Sequence, residues 1–220
     1  MSDKRPLVIA IDGPAGSGKS TVAKILARRL VLRYLDTGAM YRAVALAARR
    51  AGLGPDDGER AAALIAGVPI AFGEGDPQRV LLAGEDVTEA IRTPEIGDLA
   101  SALSVHSAVR RMLVERQKQM VAAGGVTLEG RDVTTVVAPD ADLRIFLTAS
   151  LKVRADRRWR ELKQRGIETT LDVVQHQIAE RDHRDSTRAD SPLYVAEGVT
   201  VVDTDGIGPE EVADRIVALL

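Results

Sequence analysis

The chain has 220 residues, 45% of them hydrophobic, and a formal net charge of −2. That length buries a real core and favours one domain carrying an insert, and the near-neutral balance excludes general attraction to nucleic acid or membrane surfaces, so an anion site must be built from local arginines. The absence of cysteine excludes disulfides and thiolate metal sites and suits a cytoplasmic protein, and His106, His176 and His183 lack metal-ligand spacing.

In chain order, residues 1–6 are polar and carry no leader signature, and no apolar run anywhere reaches membrane-spanning length. Residues 7–11 read as a buried strand and residues 20–32 as a helix. Between them Gly13-Pro14-Ala15-Gly16-Ser17-Gly18-Lys19-Ser20, followed by Thr21, fits G-x-x-x-x-G-K-[ST] at every required position. Strand, glycine loop and helix are the context in which this pattern cradles phosphate. Glycines let backbone N–H groups approach an anion without Cβ clashes, and the helix N-terminus adds partial positive charge. Lys19 has the reach for β- and γ-phosphates, and Ser20 suits Mg²⁺, with Glu129 and Asp36 expected to act on the metal through water.

A short strand is predicted at residues 34–36 and a helix at 39–51. Asp36-Thr37-Gly38-Ala39-Met40-Tyr41-Arg42 lies at that junction, and ligands in doubly wound sheets bind at the carboxyl ends of strands. Thr37 then offers a hydroxyl and Arg42 points into the crevice, although Asp and Thr also make an ordinary capped helix start. Between about 68 and 93, Gly, Pro and Asp punctuate strand-like pieces at 68–72 and 80–83, which predicts an inserted substrate-binding subdomain. Helices at 95–104 and 107–123 lead to a strand at 126–129. There Glu129-Gly130-Arg131-Asp132 places a carboxylate at a strand tip opposite the phosphate loop, with Gly130 turning Arg131 and Asp132 toward the crevice. A polar turn with a local Arg–Asp pair is the plainer alternative.

Strands at 143–147 and 199–202 and helices at 151–165, 171–188 and 209–219 complete the alternation, which predicts a parallel sheet flanked by helices. From Lys152 to Arg165 there are seven basic residues and two acids. Arg154, Arg157, Arg158 and Arg165 are expected to share a broad face, either of a lid closing over a triphosphate or of a basic surface helix. Arg181, Arg184, Asp185 and Arg188 follow i, i+3, i+4, i+7 spacing on one face, which either binds phosphate or is simply solvated. Residues 151–190 are accordingly read as lid and substrate-clamp helices. Asp203-Thr204-Asp205-Gly206 matches D-x-x-G, but no N-K-x-D guanine signature accompanies it, and a loop before the last helix is the better reading.

Taken together, these residues resemble the bacterial cytidylate kinase family over nearly the whole chain. The markers occur in order: I-D-G-P-A-G-S-G-K-S at 11–20, D-T-G-A-M-Y-R at 36–42, I-R-T-P-E at 91–95, Ala100-Ser101, Val109-Arg110, E-G-R-D at 129–132 and R-D-H-R-D-S-T-R at 181–188. The resemblance implies an α/β P-loop nucleoside monophosphate kinase core within a single domain spanning 1–220, with an inserted monophosphate-binding subdomain and a helical lid. Its implied activity moves the γ-phosphoryl group of ATP, with Mg²⁺, to CMP or dCMP, with no nucleic-acid, membrane or protein partner. By the same resemblance, Ser101, Arg110 and Asp132 read the cytosine edge, and Arg42, Arg131 and Arg181 clamp the CMP phosphate. Asp185 and Arg188 address the sugar hydroxyls, Thr37 lies near the acceptor, and Arg154, Arg157 and Arg158 belong to the lid over ATP. One departure stands out: the family continues G-R-D-[IVM]-G-T, whereas this chain has Val133-Thr134-Thr135, with Thr134 in the glycine position. A left-handed backbone there would strain Thr134. The alternatives are a kinase for UMP, AMP or a metabolite hydroxyl, and a nucleotide-dependent switch.

Overall fold

The computed structural model describes residues 6–75 and 77–220, so the polar start at 1–5 and Asp76 lie outside the described residues. The first half of the chain contains β1 (Val8–Asp12), α1 (Lys19–Leu30), β2 (Arg33–Asp36), α2 (Thr37–Arg50), α3 (Gly58–Ile65), β3 (Ile70–Phe72), β4 (Val80–Leu82) and β5 (Glu85–Asp86). A 3₁₀ turn (Ala90–Arg92), α4 (Pro94–Leu103), α5 (Ser107–Val121), β6 (Val126–Gly130), a π-helical turn (Val133–Val137), β7 (Leu143–Thr148), α6 (Leu151–Gln164), α7 (Leu171–Thr187), β8 (Thr200–Asp203) and α8 (Pro209–Val217) follow. The chain divides into two compact units, one ending at Tyr34 and resuming at Val121–Leu220, the other covering Leu35–Met120.

The larger unit is built on a five-stranded sheet in the order β2-β6-β1-β7-β8. β1 is its centre and pairs in parallel with β6 and β7, and β7 pairs in parallel with β8. All five residues of β1 are buried, as a central parallel strand with both faces covered requires. Ile9, Ile11, Ile145, Leu147 and Val202 of the sheet pack against Val22 and Leu26 of α1 and Val212 and Ile216 of α8. Each such aliphatic side chain contributes roughly 1.5–3 kcal/mol by leaving water. The register aligns the ends of β1 and β6, Asp12 with Gly130, and those of β7 and β8, Thr148 with Asp203; Asp12 lies opposite Phe146, so β7 and β8 run two residues further at the same edge. The loops that follow them carry the phosphate loop, the Arg131–Asp132 turn and Thr204.

Helix starts follow the caps. Ser150 accepts from Val153 N–H and Thr170 from Val173 N–H, which sets the first turns of α6 and α7. The two helices clasp each other through Ala155, Leu162, Val174 and Ile178.

The other unit has a core of its own, with Met40, Val44, Ile65, Ile91, Ile96, Leu103 and Leu113 fully or almost fully buried. β3, β4 and β5 form a three-stranded antiparallel sheet within the region read as an insert. Helix α3 has no counterpart in the sequence reading, and α2 starts at Thr37, two residues earlier than expected. Among the described residues no helix is long and apolar enough to cross a membrane.

Candidate active site

The phosphate loop is held by backbone geometry that side chains would destroy. Gly13 has φ 149°, and a Cβ there would sit 2.0 Å from the Leu147 carbonyl oxygen. At Gly16, with φ 76°, a Cβ would lie 2.8 Å from the Arg154 carbonyl oxygen, so β7 and α6 close on the loop from behind. Lys19 opens α1 and is buried. Its Nζ donates to the Pro14 carbonyl at 2.7 Å and to Ser17 Oγ at 3.4 Å. Burial, aided by the nearby Arg131 charge and opposed by Glu129, lowers its pKa to about 7. A phosphate anion at this point would restore the full charge.

Ser20 Oγ donates to Glu129 Oε1 at 2.5 Å, and the Tyr34 hydroxyl donates to the same oxygen at 3.0 Å. A hydroxyl beside a buried carboxylate is a hard-oxygen donor set of the kind Mg²⁺ takes when substrate phosphates and water complete its shell. No cluster of three His, Cys, Asp or Glu side chains occurs among the described residues, so an all-protein metal cage is not what the donors form. Asp36 spends both oxygens elsewhere. Oδ1 caps α2 through Ala39 N–H at 2.8 Å, and Oδ2 pairs with Arg42 at 2.8 Å. Its burial alone would raise the pKa, but the Arg42 charge and the Ala39 bond outweigh it and hold the carboxyl below its usual range.

Asp12 was not singled out by sequence. It is 1% exposed and accepts from Val133 N–H, Thr134 N–H and Thr134 Oγ1 at 3.0, 2.8 and 2.7 Å. Burial raises its pKa to about 6, the Thr134 and Val133 bonds hold that rise back, and the Asp132 charge adds to it. Thr134 is not among the residues with positive φ, so its place in a glycine position costs no backbone strain.

The arginines of α6 and α7 separate by burial. On α7, Asp185 is buried and gathers three guanidinium groups: Arg131 Nε at 2.9 Å, Arg188 Nη1 at 3.5 Å and Arg181 Nε at 3.9 Å. Burial alone would raise Asp185, yet the three cations hold it below its usual range. One carboxylate against three guanidinium groups leaves excess positive charge, which suits a phosphate. On α6, Arg154, Arg157, Arg158 and Arg165, expected on one broad face, meet different surroundings. Arg154 is buried and committed to the Ala149 and Ala15 carbonyls and to Asp182 Oδ2 at 2.5 Å. Arg157 reaches Thr204 Oγ1 at 2.9 Å and its carbonyl at 2.7 Å. Arg158 pairs with exposed Glu161, and Arg165 is the exposed cap residue at the end of α6. Thr204, in the loop first set aside as an accidental D-x-x-G match, donates to the Ser17 carbonyl at 3.2 Å. No sequence signal marks that residue. Asp12 could have been found, as a carboxylate closing an apolar strand directly before the loop.

In the Leu35–Met120 unit, Thr37 is buried in the first turn of α2, and Ser101 and Arg110 are buried on α4 and α5. Arg110 lies 5.6 Å over the Tyr41 ring and donates to the Ser104 carbonyl at 3.2 Å. Ser101 Oγ is buried with no hydrogen-bond partner among the described residues. A buried hydroxyl of this kind has hydrogen-bonding capacity that a ligand group could take.

A parallel sheet with a phosphate loop at its central strand, the Ser20–Glu129 pair and a separate arginine cluster define a P-loop kinase. Shikimate kinase from Bacteroides thetaiotaomicron shares the fold at 12% identity and a TM-score of 0.51, with 97% of each chain covered. The family description "Cytidylate kinase" matches residues 9–220. The cytidylate kinase of Geobacter sulfurreducens is 49% identical, covering 99% of this chain and 94% of its own. That of Listeria monocytogenes serotype 4a is 44% identical, covering 98% and 96%. The chain belongs to the cytidylate kinase family.

Proposed function

We infer that the chain transfers the γ-phosphoryl group of MgATP to CMP or dCMP, giving ADP and CDP or dCDP, in the cytoplasm. The observation that carries this reading is the Arg131–Arg181–Arg188 cluster on Asp185, a second anion site in the same unit as the phosphate loop. Gly13 to Thr21 hold the ATP phosphates, Lys19 neutralises the transferring group, and Arg157 and Arg158 of the 151–190 segment close over the donor. Ser20 would hold Mg²⁺, with Glu129 acting through water; the metal's chemistry is charge neutralisation between the phosphates. Arg154 supports the phosphate loop through Ala15 rather than the nucleotide directly.

Arg131, Arg181 and Arg42 take the acceptor phosphate, Asp185 and Arg188 the sugar, and Ser101, Arg110 and Asp132 the cytosine edge, with Thr37 beside the acceptor. Residues 68–93 are the inserted substrate-binding piece. The attacking oxygen belongs to a phosphate already ionised, so no side chain needs to remove a proton. Catalysis consists of bringing two anions together and stabilising charge as it moves.

A panel of CMP, dCMP, UMP, AMP and no acceptor, read by coupled ADP formation, tests the reading. CMP and dCMP should be fastest, and ATP hydrolysis without acceptor should be negligible. Equal rates with and without acceptor would replace the kinase by a switch, and a preference for UMP or AMP would reassign the acceptor.

A further inference from the structure

We propose that Asp12 and Thr134 are positioning residues that set how strictly Asp132 discriminates the acceptor base. The proposal rests on reading Asp132 as a base-reading residue. Asp12 ends β1 one residue before the phosphate loop and stands level with Gly130 at the end of β6. Its carboxylate is almost wholly excluded from water, and burying that group is unfavourable unless donors surround it. The donors are the two backbone N–H groups that follow Asp132 and the Thr134 hydroxyl. From the other side, the Asp132 carbonyl accepts from Val136 N–H at 2.8 Å and, in the five-residue bond that marks the π-helical turn, from Val137 N–H at 3.3 Å. The peptide group that follows Asp132 is therefore held at both its carbonyl and its N–H, with Asp132 at φ −146° and ψ 18°, and the Asp132 side chain is buried. It has little freedom to re-aim.

Thr134 matters because a glycine there could offer only its N–H. The hydroxyl adds a third bond to Asp12, at 2.7 Å and the shortest of the three, and Thr134 does so without a left-handed backbone. A charge-assisted bond of this kind is stronger than a neutral one. Its effect is orientational: a carboxylate aimed at an amino donor favours cytosine, whereas a carboxylate free to swing away also tolerates a carbonyl. The turn thus links the donor-side loop, through the Asp12 backbone, to acceptor-base selectivity.

The decisive variants are Thr134→Val, which removes the hydroxyl and keeps the shape, Thr134→Ser, which keeps the hydroxyl, and Asp12→Asn. Steady-state kinetics with CMP and with UMP, the KM for ATP and the melting temperature are measured for each. Thr134→Val should lower the CMP-to-UMP ratio of kcat/KM by about tenfold, the loss of one hydrogen bond to a charged group, through a raised KM for CMP and an unchanged KM for ATP. Thr134→Ser should restore the ratio, and Asp12→Asn should lose more than Thr134→Val. A lower melting temperature with an unaltered ratio in Thr134→Val would overturn the proposal, because the bond would then only support the fold; that variant decides if Asp12→Asn fails to fold. Asp132→Ala separates the levels. If it leaves the ratio intact, Asp132 does not read the base and the underlying reading fails. If it erodes the ratio while Thr134→Val does not, only the positioning proposal fails.

Discussion

The phosphate loop and the α6–α7 pair lie in the same compact unit and are both rich in chemistry, yet they were built in opposite ways. In the loop, the binding groups are backbone N–H donors within eight consecutive residues, and the glycines at 13 and 16 are dictated by backbone atoms pressed against them. In α6 and α7, the candidate groups are long side chains, and two of the central pairings reach far along the chain. Arg154 serves Ala15, 139 positions away, and Arg131 serves Asp185 across 54 positions. Main-chain chemistry can be read from spacing, whereas side-chain charges are assigned only once burial chooses between them.

The largest effect should come from Lys19→Ala. Among the described residues the side chain bonds only within the loop, so its loss should remove several kcal/mol of transition-state stabilisation, on the order of 10³-fold in kcat, while the fold is retained. Near-normal turnover would erase the distinction between a catalytic loop and a supporting pair. The pH dependence sharpens the same point. Lys19 titrates at about 7 when folded and at the ordinary 10.5 when unfolded, so the native state binds fewer protons between those values. Stability should therefore rise with pH from about 7 toward 10.5 relative to Lys19→Met, as followed by denaturant midpoints. Asp12 runs the other way: raised from 3.8 to about 6, it should make stability fall across that interval. Calorimetry of ATP binding in buffers of different ionisation enthalpy should show proton uptake at pH 7–8, absent in Lys19→Met; zero uptake in the wild type would mean that Lys19 is already fully charged.

Next in size is the division within α6. Arg154→Ala strands Asp182, whose side chain is 23% exposed, and takes a donor from two carbonyls, which should cost about 3 kcal/mol of stability and raise the KM for ATP. Arg158→Ala breaks only an exposed i,i+3 pair and should cost no more than about 0.5 kcal/mol. Equal and small losses in chemical denaturation would return the two arginines to the single basic face that their spacing suggests.

Much of the fold was legible because its signals are local. The unbroken apolar run of β1 marks a buried parallel strand, and Thr93-Pro94, Ser150 and Thr170 mark helix starts by the bonds that their side chains accept. The π-helical turn was not legible. Val133–Val137 consists entirely of β-branched residues, a strand composition, yet the Asp132 carbonyl and the Asp12 carboxylate draw its N–H groups into a turn. Helix α3 escaped notice because eight residues carry too little periodicity. In the candidate site, Lys19, Ser20, Arg131 and Asp185 were found through spacing, and the structure supplied their partners. Asp36 and Arg42 were also found, but their mutual pairing depends on the first turn of α2 and could not be read from composition.

The smallest effect concerns how the helices of the two regions end. In both, an N–H bonds back five residues: Leu32 to the Ala27 carbonyl at 2.9 Å after α1, and Ile167 to the Leu162 carbonyl at 3.0 Å after α6. That closure requires a left-handed residue just before the donor. After α6 the position is Gly166, at φ 71°, but after α1 it is Val31, at φ 55° and 93% exposed. A β-branched residue is the poorest choice for that conformation, costing about 1–2 kcal/mol, and with so little of its surface buried no packing offsets the strain. Val31→Gly should therefore raise stability, by about 1 kcal/mol once the greater freedom of glycine in the unfolded chain is deducted. The reverse test is Gly166→Ala, where the added Cβ meets no atom within 4 Å, so a loss of about 1 kcal/mol would come from the backbone alone. Urea unfolding of both variants checks the pair. Were Val31→Gly to destabilise, the valine would be contributing contacts that its exposure denies, and the two helix ends would not be the same motif in different residues.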